Sequence, residues 1–205
     1  MKIRNHRAFA GERSASMNEF VYQDLPSEEI INGNVILMSP RPNVNHNRVA
    51  DNILDIFKAH LRGKKCVPFG DGYDLYLSEN ERYVPDFMVV CDRDKIHADG
   101  VHGAPDLVAE VLSPSTARYD RGHKMRTYAR HGVREYWLVS PTDRTVEQYL
   151  PENGVLELHD VYLLPDELTA RKMSEKELAE NQTSFRCSLY DDLTIHLEDV
   201  FRDLL

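Results

Sequence analysis

The run Leu107-Val108-Ala109-Glu110-Val111-Leu112 constrains this chain more than any other stretch. It is apolar except for Glu110, and it stops at Ser113-Pro114. A short β-rich apolar run bounded by turn residues predicts a strand. Side chains alternate across a strand, so Glu110 shares a face with Val108 and Leu112. Burying an ionised carboxylate without partners is costly. The fold must therefore bring a lysine, a hydrogen-bond network or a metal to this strand, unless it is an edge strand with one wet face. A helix follows at once. Ser115 or Thr116 caps it, it runs to about His131, and Gly132 ends it.

The rest of the chain repeats this alternation. Residues 1–17 keep no period and are expected to form a mobile arm, with 18–205 as a single domain. Ser27 to Ile31 reads as a short helical turn closed by Asn32-Gly33-Asn34, and Val35 to Met38 as a strand. Between Asn43 and Leu61 the apolar positions Val49, Ile53, Ile56, Phe57 and Leu61 recur at helical spacing, and Gly63 stands just beyond. Strands are expected at 66–69, 73–77, 87–90, 134–139, 145–150 and 155–164. Asp92 to Ala104 reads as a polar loop, Glu167 to Glu180 as a polar helical insertion (near 166–182), and Asp199 to Leu205 as a short closing helix. Strands that alternate with helices and end in a hairpin predict an α/β fold, a mixed β-sheet flanked by α-helices. With 205 residues and 41% hydrophobic content, the chain can bury a substantial core. No apolar run approaches the roughly 18–20 residues that a membrane span needs, and no apolar stretch follows the basic N-terminus as in a secretory signal.

Several acids stand where solvation alone does not explain them. Pro85-Asp86 leads directly into Phe87-Met88-Val89-Val90, although Asp86 taken alone is an ordinary strand-start residue. In the helix after Glu110, Asp120, Lys124 and Tyr128 recur at i, i+4 and i+8 and share one face. Lys124 can thus lean back over the end of the Glu110 strand; an exposed Asp-Lys pair is the plain alternative. Glu29 alone is an unremarkable first-turn carboxylate. Together these residues make the skeleton of a metal-dependent phosphodiesterase. Carboxylate oxygens suit Mg²⁺, a bound metal polarises a phosphoryl oxygen, and a lysine offsets developing negative charge. His97, Asp99 and His102 have metal-like spacing but lie in a polar loop. His46 and His123 read as ordinary helix residues, and Tyr136 and Trp137 as core.

Four segments carry a resemblance: Pro85-Asp86; Pro105 to Thr116 with its Glu110-Val111-Leu112-Ser113-Pro114-Ser115-Thr116 string; Asp120 to Lys124 with Tyr128-Ala129-Arg130; and Gly132 to Val139. With Glu29 to Pro40, they resemble the Uma-two family of restriction-endonuclease-like proteins, within the PD-(D/E)XK nuclease superfamily, from about residue 19 to 164. The resemblance implies a restriction-endonuclease-like core. It implies that Asp86, Glu110 and Glu29 bind Mg²⁺ (or Mn²⁺), with Glu29 as the acid of the first helix. It further implies Lys124 as the catalytic lysine, supported by Asp120 and Tyr128. The superfamily's in-strand lysine would fall at position 112, which is Leu112; Lys124 is the matching position in this family. The implied partner is DNA and the implied assembly a homodimer.

The formal charge of −9 argues against a protein that coats DNA non-specifically, but a metal-carboxylate centre needs acids. Cys66, Cys91 and Cys187 show no CxxC spacing and are expected as reduced thiols in a cytoplasmic protein. The leading expectation is a Mg²⁺-dependent DNA endonuclease. The alternatives are a non-catalytic nucleic-acid-binding or regulatory module that retains the fold, and a metal-dependent hydrolase of another phosphorylated substrate. Arginines beside the acids, among Arg41, Arg48, Arg118, Arg121 and Arg130, would favour nucleic acid.

Overall fold

The structure, a computed structural model, describes residues 28–37 and 43–205. The expected arm at 1–17, Arg41 and the predicted end of the second segment at Met38 to Pro40 lie outside them.

In chain order the elements are β1 (Glu28–Ile31), β2 (Asn34–Leu37), α1 (Val44–Leu61), β3 (Val67–Phe69), β4 (Leu75–Ser78), β5 (Glu81–Tyr83) and β6 (Phe87–Val90). A 3-10 turn (Arg93–Lys95) precedes β7 (Ile96–His97), β8 (Gly100–His102) and β9 (Leu107–Val111). Then come α2 (Ala117–Tyr119), a π-helical turn (Asp120–Lys124) and α3 (Met125–His131), which run on as one helix. The chain closes with β10 (Glu135–Ser140), β11 (Thr145–Glu152), β12 (Val155–Leu163), α4 (Glu167–Ala170), α5 (Glu175–Glu180), β13 (Ser184–Arg186), β14 (Thr194–His196) and α6 (Leu197–Val200).

The central sheet has the order β12-β11-β10-β9-β6-β3. Only β9 and β10 are parallel in it, joined by the α2–α3 helix, because a parallel pair needs a crossover. β9 is paired on both sides and buried along its length, which removes the edge-strand alternative for Glu110. On one face α1 packs Val49, Ile53 and Phe57 against Phe87, Ala109 and Trp137. Asn43 caps α1 by accepting from the His46 N–H at 3.0 Å. The other face carries Tyr128, Val133, Tyr136 and Leu138, covered by a second sheet of order β2-β1-β5-β4-β8-β7. Tyr136 and Trp137 are core residues, as expected.

Five expectations are corrected. Residues 28–31 form a strand rather than a helical turn, because Glu29 to Ile31 pair with β2 and Ile30 reaches β5. The loop at 92–104 contains the β7–β8 hairpin. Gly100 is required there: its φ is +147°, and a Cβ would lie 2.4 Å from the Asp74 carbonyl oxygen. The polar helix at 167–180 is two short exposed helices, the second opened by a Ser174–Glu177 capping box. The closing helix covers only Leu197–Val200, and β13–β14 form an additional hairpin that the sequence reading did not include. Finally, Cys66 and Cys91 are disulfide-bonded rather than reduced. Val67 pairs with Val90, so the residues one step beyond are cross-strand neighbours despite 25 residues of separation. Cys187 is free and buried.

A second buried acid is wholly structural. Glu135 is fully buried in β10, where its Oε1 accepts from Trp137 Nε1 (2.7 Å) and Gln148 Nε2 (2.6 Å). Its Oε2 accepts from the Ser188 N–H (2.7 Å) and hydroxyl (2.5 Å). One carboxylate thus ties β10 and β11 to the C-terminal segment. Glu135→Ala strands these donors and is expected to destabilise the protein by about 3–5 kcal/mol. Urea denaturation monitored by Trp137 fluorescence measures it, with Glu135→Gln showing the smaller loss.

Candidate active site

Glu110 stands in the middle of β9, on the face opposite α1. The helix after β9 supplies its partners. In a regular α-helix, residues four apart drift by about 40°, so three such positions spread over about 80°. Here the π-helical turn covers Asp120 to Lys124 and widens the helix where the drift would accumulate. Asp120, Lys124 and Tyr128 are consequently all buried against the sheets.

Lys124 Nζ lies 2.8 Å from Glu29 Oε1, 3.2 Å from Glu110 Oε1 and 3.5 Å from Asp120 Oδ1. The Tyr83 ring centroid is 5.5 Å from it. Tyr128 donates to Glu110 Oε1 at 2.8 Å. Glu29 Oε1 also accepts from the Val84 N–H at 3.0 Å, which holds β1 to the chain leaving β5. Lys124 therefore points inward, and its ammonium stands beside Glu110 although the in-strand position is Leu112.

Asp86 lies one residue beyond the Phe87–Ala109 pair, at the position opposite Glu110. Its Oδ2 accepts from the Val111 N–H at 2.7 Å and lies 3.4 Å from His46 Nε2 of α1. His46 is 8% exposed, and its Nδ1 has no partner among the described residues. His46, Asp51, Asp71 and Asp86 line a cavity of about 190 Å³. A separate cavity of about 240 Å³ is lined by Glu29, Tyr119, Asp120 and Lys124, among others.

The electrostatics follow from burial and crowding. Burial pushes the Glu110 carboxyl well above the usual range; Lys124 opposes this, and Asp120, Asp86 and Glu29 add to it. Asp120 is raised for the same first reason, against Lys124. Desolvation would lower the Lys124 pKa, but Glu110, Glu29 and Asp120 together outweigh it and raise it well above the lysine range. Burial, then repulsion from Asp86, raises Asp71.

All the sequence-predicted residues are thus placed. Glu29, Glu110, Asp120, Lys124 and Tyr128 converge, and Asp86 sits at the cross-strand position beside them. Glu29 comes from a strand rather than from a first helix; the first helix instead presents His46 to Asp86. Among the described residues, no three His, Cys, Asp or Glu side chains converge as a preformed metal cage. Glu81 was missed by sequence reasoning, while His46 and His123 were read there as ordinary helix residues. Glu81 is buried, accepts from the Tyr83 hydroxyl, and lies 3.0 and 3.1 Å from His123 Nε2. Burial raises the Glu81 carboxyl, but Tyr83 and His123 outweigh burial and hold it below its ordinary value. The Glu-x-Tyr alternation at 81–83 puts both side chains on one strand face, a usable signal for that pair. No local signal marks His46.

Comparison with known proteins gives consistent results. A protein of Synechocystis, "Uncharacterized protein slr1290", is 36% identical over 108 residues, 51% of this chain and 56% of that protein's length. The chain therefore matches little more than half of that relative. A second Synechocystis protein, "Uncharacterized protein sll1609", is 29% identical over 131 residues, 62% of this chain and 73% of its own length. The crystal structure of a "putative nuclease belonging to DUF820" from Anabaena variabilis superposes with a TM-score of 0.64, at 21% identity. It covers 86% of this chain and 90% of that one, and so establishes the likeness of fold. The model of the Uma2 family, described as "Putative restriction endonuclease", matches residues 19–180, and this chain belongs to that family.

Proposed function

We propose that this protein is a Mg²⁺-dependent endonuclease that hydrolyses DNA phosphodiester bonds, with Asp86 and Glu110 as the metal-binding pair and Lys124 as the catalytic cation. The observation that carries this reading is the placement of Lys124 Nζ 3.2 Å from Glu110 Oε1, from a helix, where the strand itself has Leu112. A lysine beside a strand carboxylate, with a second carboxylate opposite, is an arrangement that can serve phosphodiester hydrolysis.

The donor set fits magnesium. Three carboxylates, Glu29, Glu110 and Asp120, surround one ammonium, and Asp86 adds its repulsion at Glu110, so the site is short of positive charge. Asp120 Oδ1 is buried and makes no hydrogen bond among the described residues. Mg²⁺ is commonly held by only one or two carboxylates, the rest coming from water and substrate phosphate, so a three-residue cage is not required. Asp86 and Glu110 would hold it. When bound, magnesium polarises a phosphoryl oxygen and makes a neighbouring water more acidic.

The chain's own residues do the remaining work. Glu29 anchors Lys124 through Oε1, which also accepts from the Val84 N–H, and its other carboxylate oxygen could serve as a further ligand. Tyr128 fixes the Glu110 carboxylate through Oε1, and the Val111 N–H fixes Asp86 through Oδ2. The Lys124 ammonium, held rigid by three carboxylates, is a pre-oriented positive charge for the phosphate as negative charge builds on it. Two such sites would let one assembly address both strands of a duplex together, so the proposal includes a homodimer.

Calorimetric titration with Mg²⁺ and Mn²⁺ tests the centre. Wild type is expected to bind, with the heat lost in the Asp86→Ala, Glu110→Ala double variant. Persistence of equal binding in that variant would remove Asp86 and Glu110 as ligands. Absence of binding by wild type at millimolar metal, with and without a DNA duplex, would favour the non-catalytic module. That module's supporting observation is the direct pairing of Lys124 with Glu29 and Glu110, which can act as a structural ion-pair cluster.

A further inference from the structure

The helix that turns Lys124 inward presents a very different face outward. Between residues 117 and 131 the acid is Asp120, and it is buried. Arg118, Arg121, Arg126 and Arg130 are all exposed. Two are already engaged: Arg121 with Glu147, and Arg130 through Thr127 Oγ1 at 2.9 Å, with Glu81 3.9 Å away. Arg118 and Arg126 form no ion pair among the described residues. They are eight positions apart, about 12 Å along the helix, with Gly122 between them. These three residues, with Tyr119 and His123, line a cavity of about 440 Å³. Gly122 leaves the floor of that cavity without a side chain. Tyr119, an exposed ring, lines both this cavity and the neighbouring one that contains Asp120 and Lys124.

On a chain of net charge −9, two exposed guanidiniums without an ion-pair partner among the described residues form a local positive face beside an acid-rich site, where an anion can be attracted. A guanidinium offers a planar fork of donors matched to phosphate, and a bare glycine lets a backbone approach closely. We propose that the Arg118–Gly122–Arg126 face is the surface that binds the DNA duplex backbone, seating phosphates flanking the scissile one and leading the strand past Tyr119 to Lys124. This rests on the nuclease reading above and deepens it, since it names how an acidic protein holds an acidic polymer. Arg118 and Arg126 are binding residues in it, distinct from the catalytic Asp86, Glu110 and Lys124.

The test separates binding from cleavage by working in EDTA. A fluorescein-labelled DNA duplex is titrated by anisotropy between about 50 and 200 mM salt, with wild type and with Arg118→Gln, Arg126→Gln. Each neutralised phosphate contributes a slope of about 0.9 to log K against log salt. The double variant is expected to lose about tenfold or more in affinity at low salt, and to lower the slope by about 1.8. The Arg118→Lys, Arg126→Lys variant should keep the wild-type slope, and Arg171→Ala, which does not line this cavity, should change nothing. Near-ultraviolet circular dichroism confirms that each variant is folded. An unchanged slope in the glutamine variant overturns the proposal, as does a wild type that binds no duplex at about 50 mM salt or prefers an RNA duplex. Duplex binding by a wild type that never cleaves would sink the nuclease reading and leave this face standing. Cleavage with an unchanged slope would do the reverse.

Discussion

Lys124→Met is expected to destabilise the protein by roughly 3–5 kcal/mol, the usual cost of removing one partner from a buried charge cluster. The substitution keeps the length and most of the volume of the side chain, so packing against Tyr83 and Tyr128 changes little. What changes is charge: Glu29, Glu110 and Asp120 lose the ammonium within 2.8–3.5 Å. The loss should depend on pH in a definite direction. The carboxyls of Glu110 and Asp120 are already raised above their ordinary values by burial, with Lys124 the influence that lowers them. In the variant they rise further. A carboxyl raised in the folded state binds protons more readily there than in the unfolded chain. Its contribution is present below the unfolded carboxylate range, near pH 4, and is lost as the pH rises toward the folded value. The variant should therefore approach wild-type stability near pH 4 and fall away progressively toward pH 7. Urea denaturation across that range, in EDTA, measures it. A constant deficit would mean that the cost lies in packing, and that Lys124 is not the counter-ion of these acids.

Loss of cleavage is the second large effect. Asp86→Ala and Glu110→Gln are each expected to reduce Mg²⁺-dependent nicking of supercoiled plasmid by about a thousandfold or more, because each removes a ligand from a site with few to spare. Their stabilities should diverge. Asp86→Ala frees the Val111 N–H and leaves His46 without its acceptor, so a modest loss of stability accompanies the loss of activity. Glu110→Gln removes a buried charge that repels Asp120, Asp86 and Glu29, while the amide oxygen still accepts from Tyr128. Lys124 loses one of its three carboxylates but keeps Glu29 and Asp120, so the loss of stability should be smaller than in Lys124→Met, and the lost activity is then not a folding defect. Nicking by Glu110→Gln at the wild-type rate would remove Glu110 from the reaction.

Much of this site was legible in the chain. The strand at 107–111, the Pro85-Asp86 entry into the next strand, and the Asp120–Lys124–Tyr128 spacing depend only on the period of two or of three to four residues. Those periods are properties of a single segment. They place Glu110 on a face with Val108, and Asp120, Lys124 and Tyr128 on one side of a helix, before any tertiary contact exists. The expected stop was equally local: Gly132, with φ +89°, closes α3, whereas Thr116 stands at the N-cap of α2 without a side-chain cap bond, and the Asn43 cap of α1 was not read from the sequence.

The remaining features belong to contacts between segments distant in sequence. Glu29 reads as helical until β1 pairs with β2 and β5, and this pairing carries its carboxylate to Lys124, 95 positions away. His46 looks like any helix residue until α1 packs on the central sheet and sets its ring beside Asp86. Cys66 and Cys91 become a pair only through the register of β3 on β6. The π-helical turn that aims Lys124 inward has no signature in the spacing that announced the helix. Sequence by itself determined which faces each element would present, because side-chain direction follows from local backbone geometry. Only the tertiary structure decided which charges would meet, because sheet register and helix packing are set by the joint burial of apolar faces, and the acids and the lysine are carried to their positions by that burial.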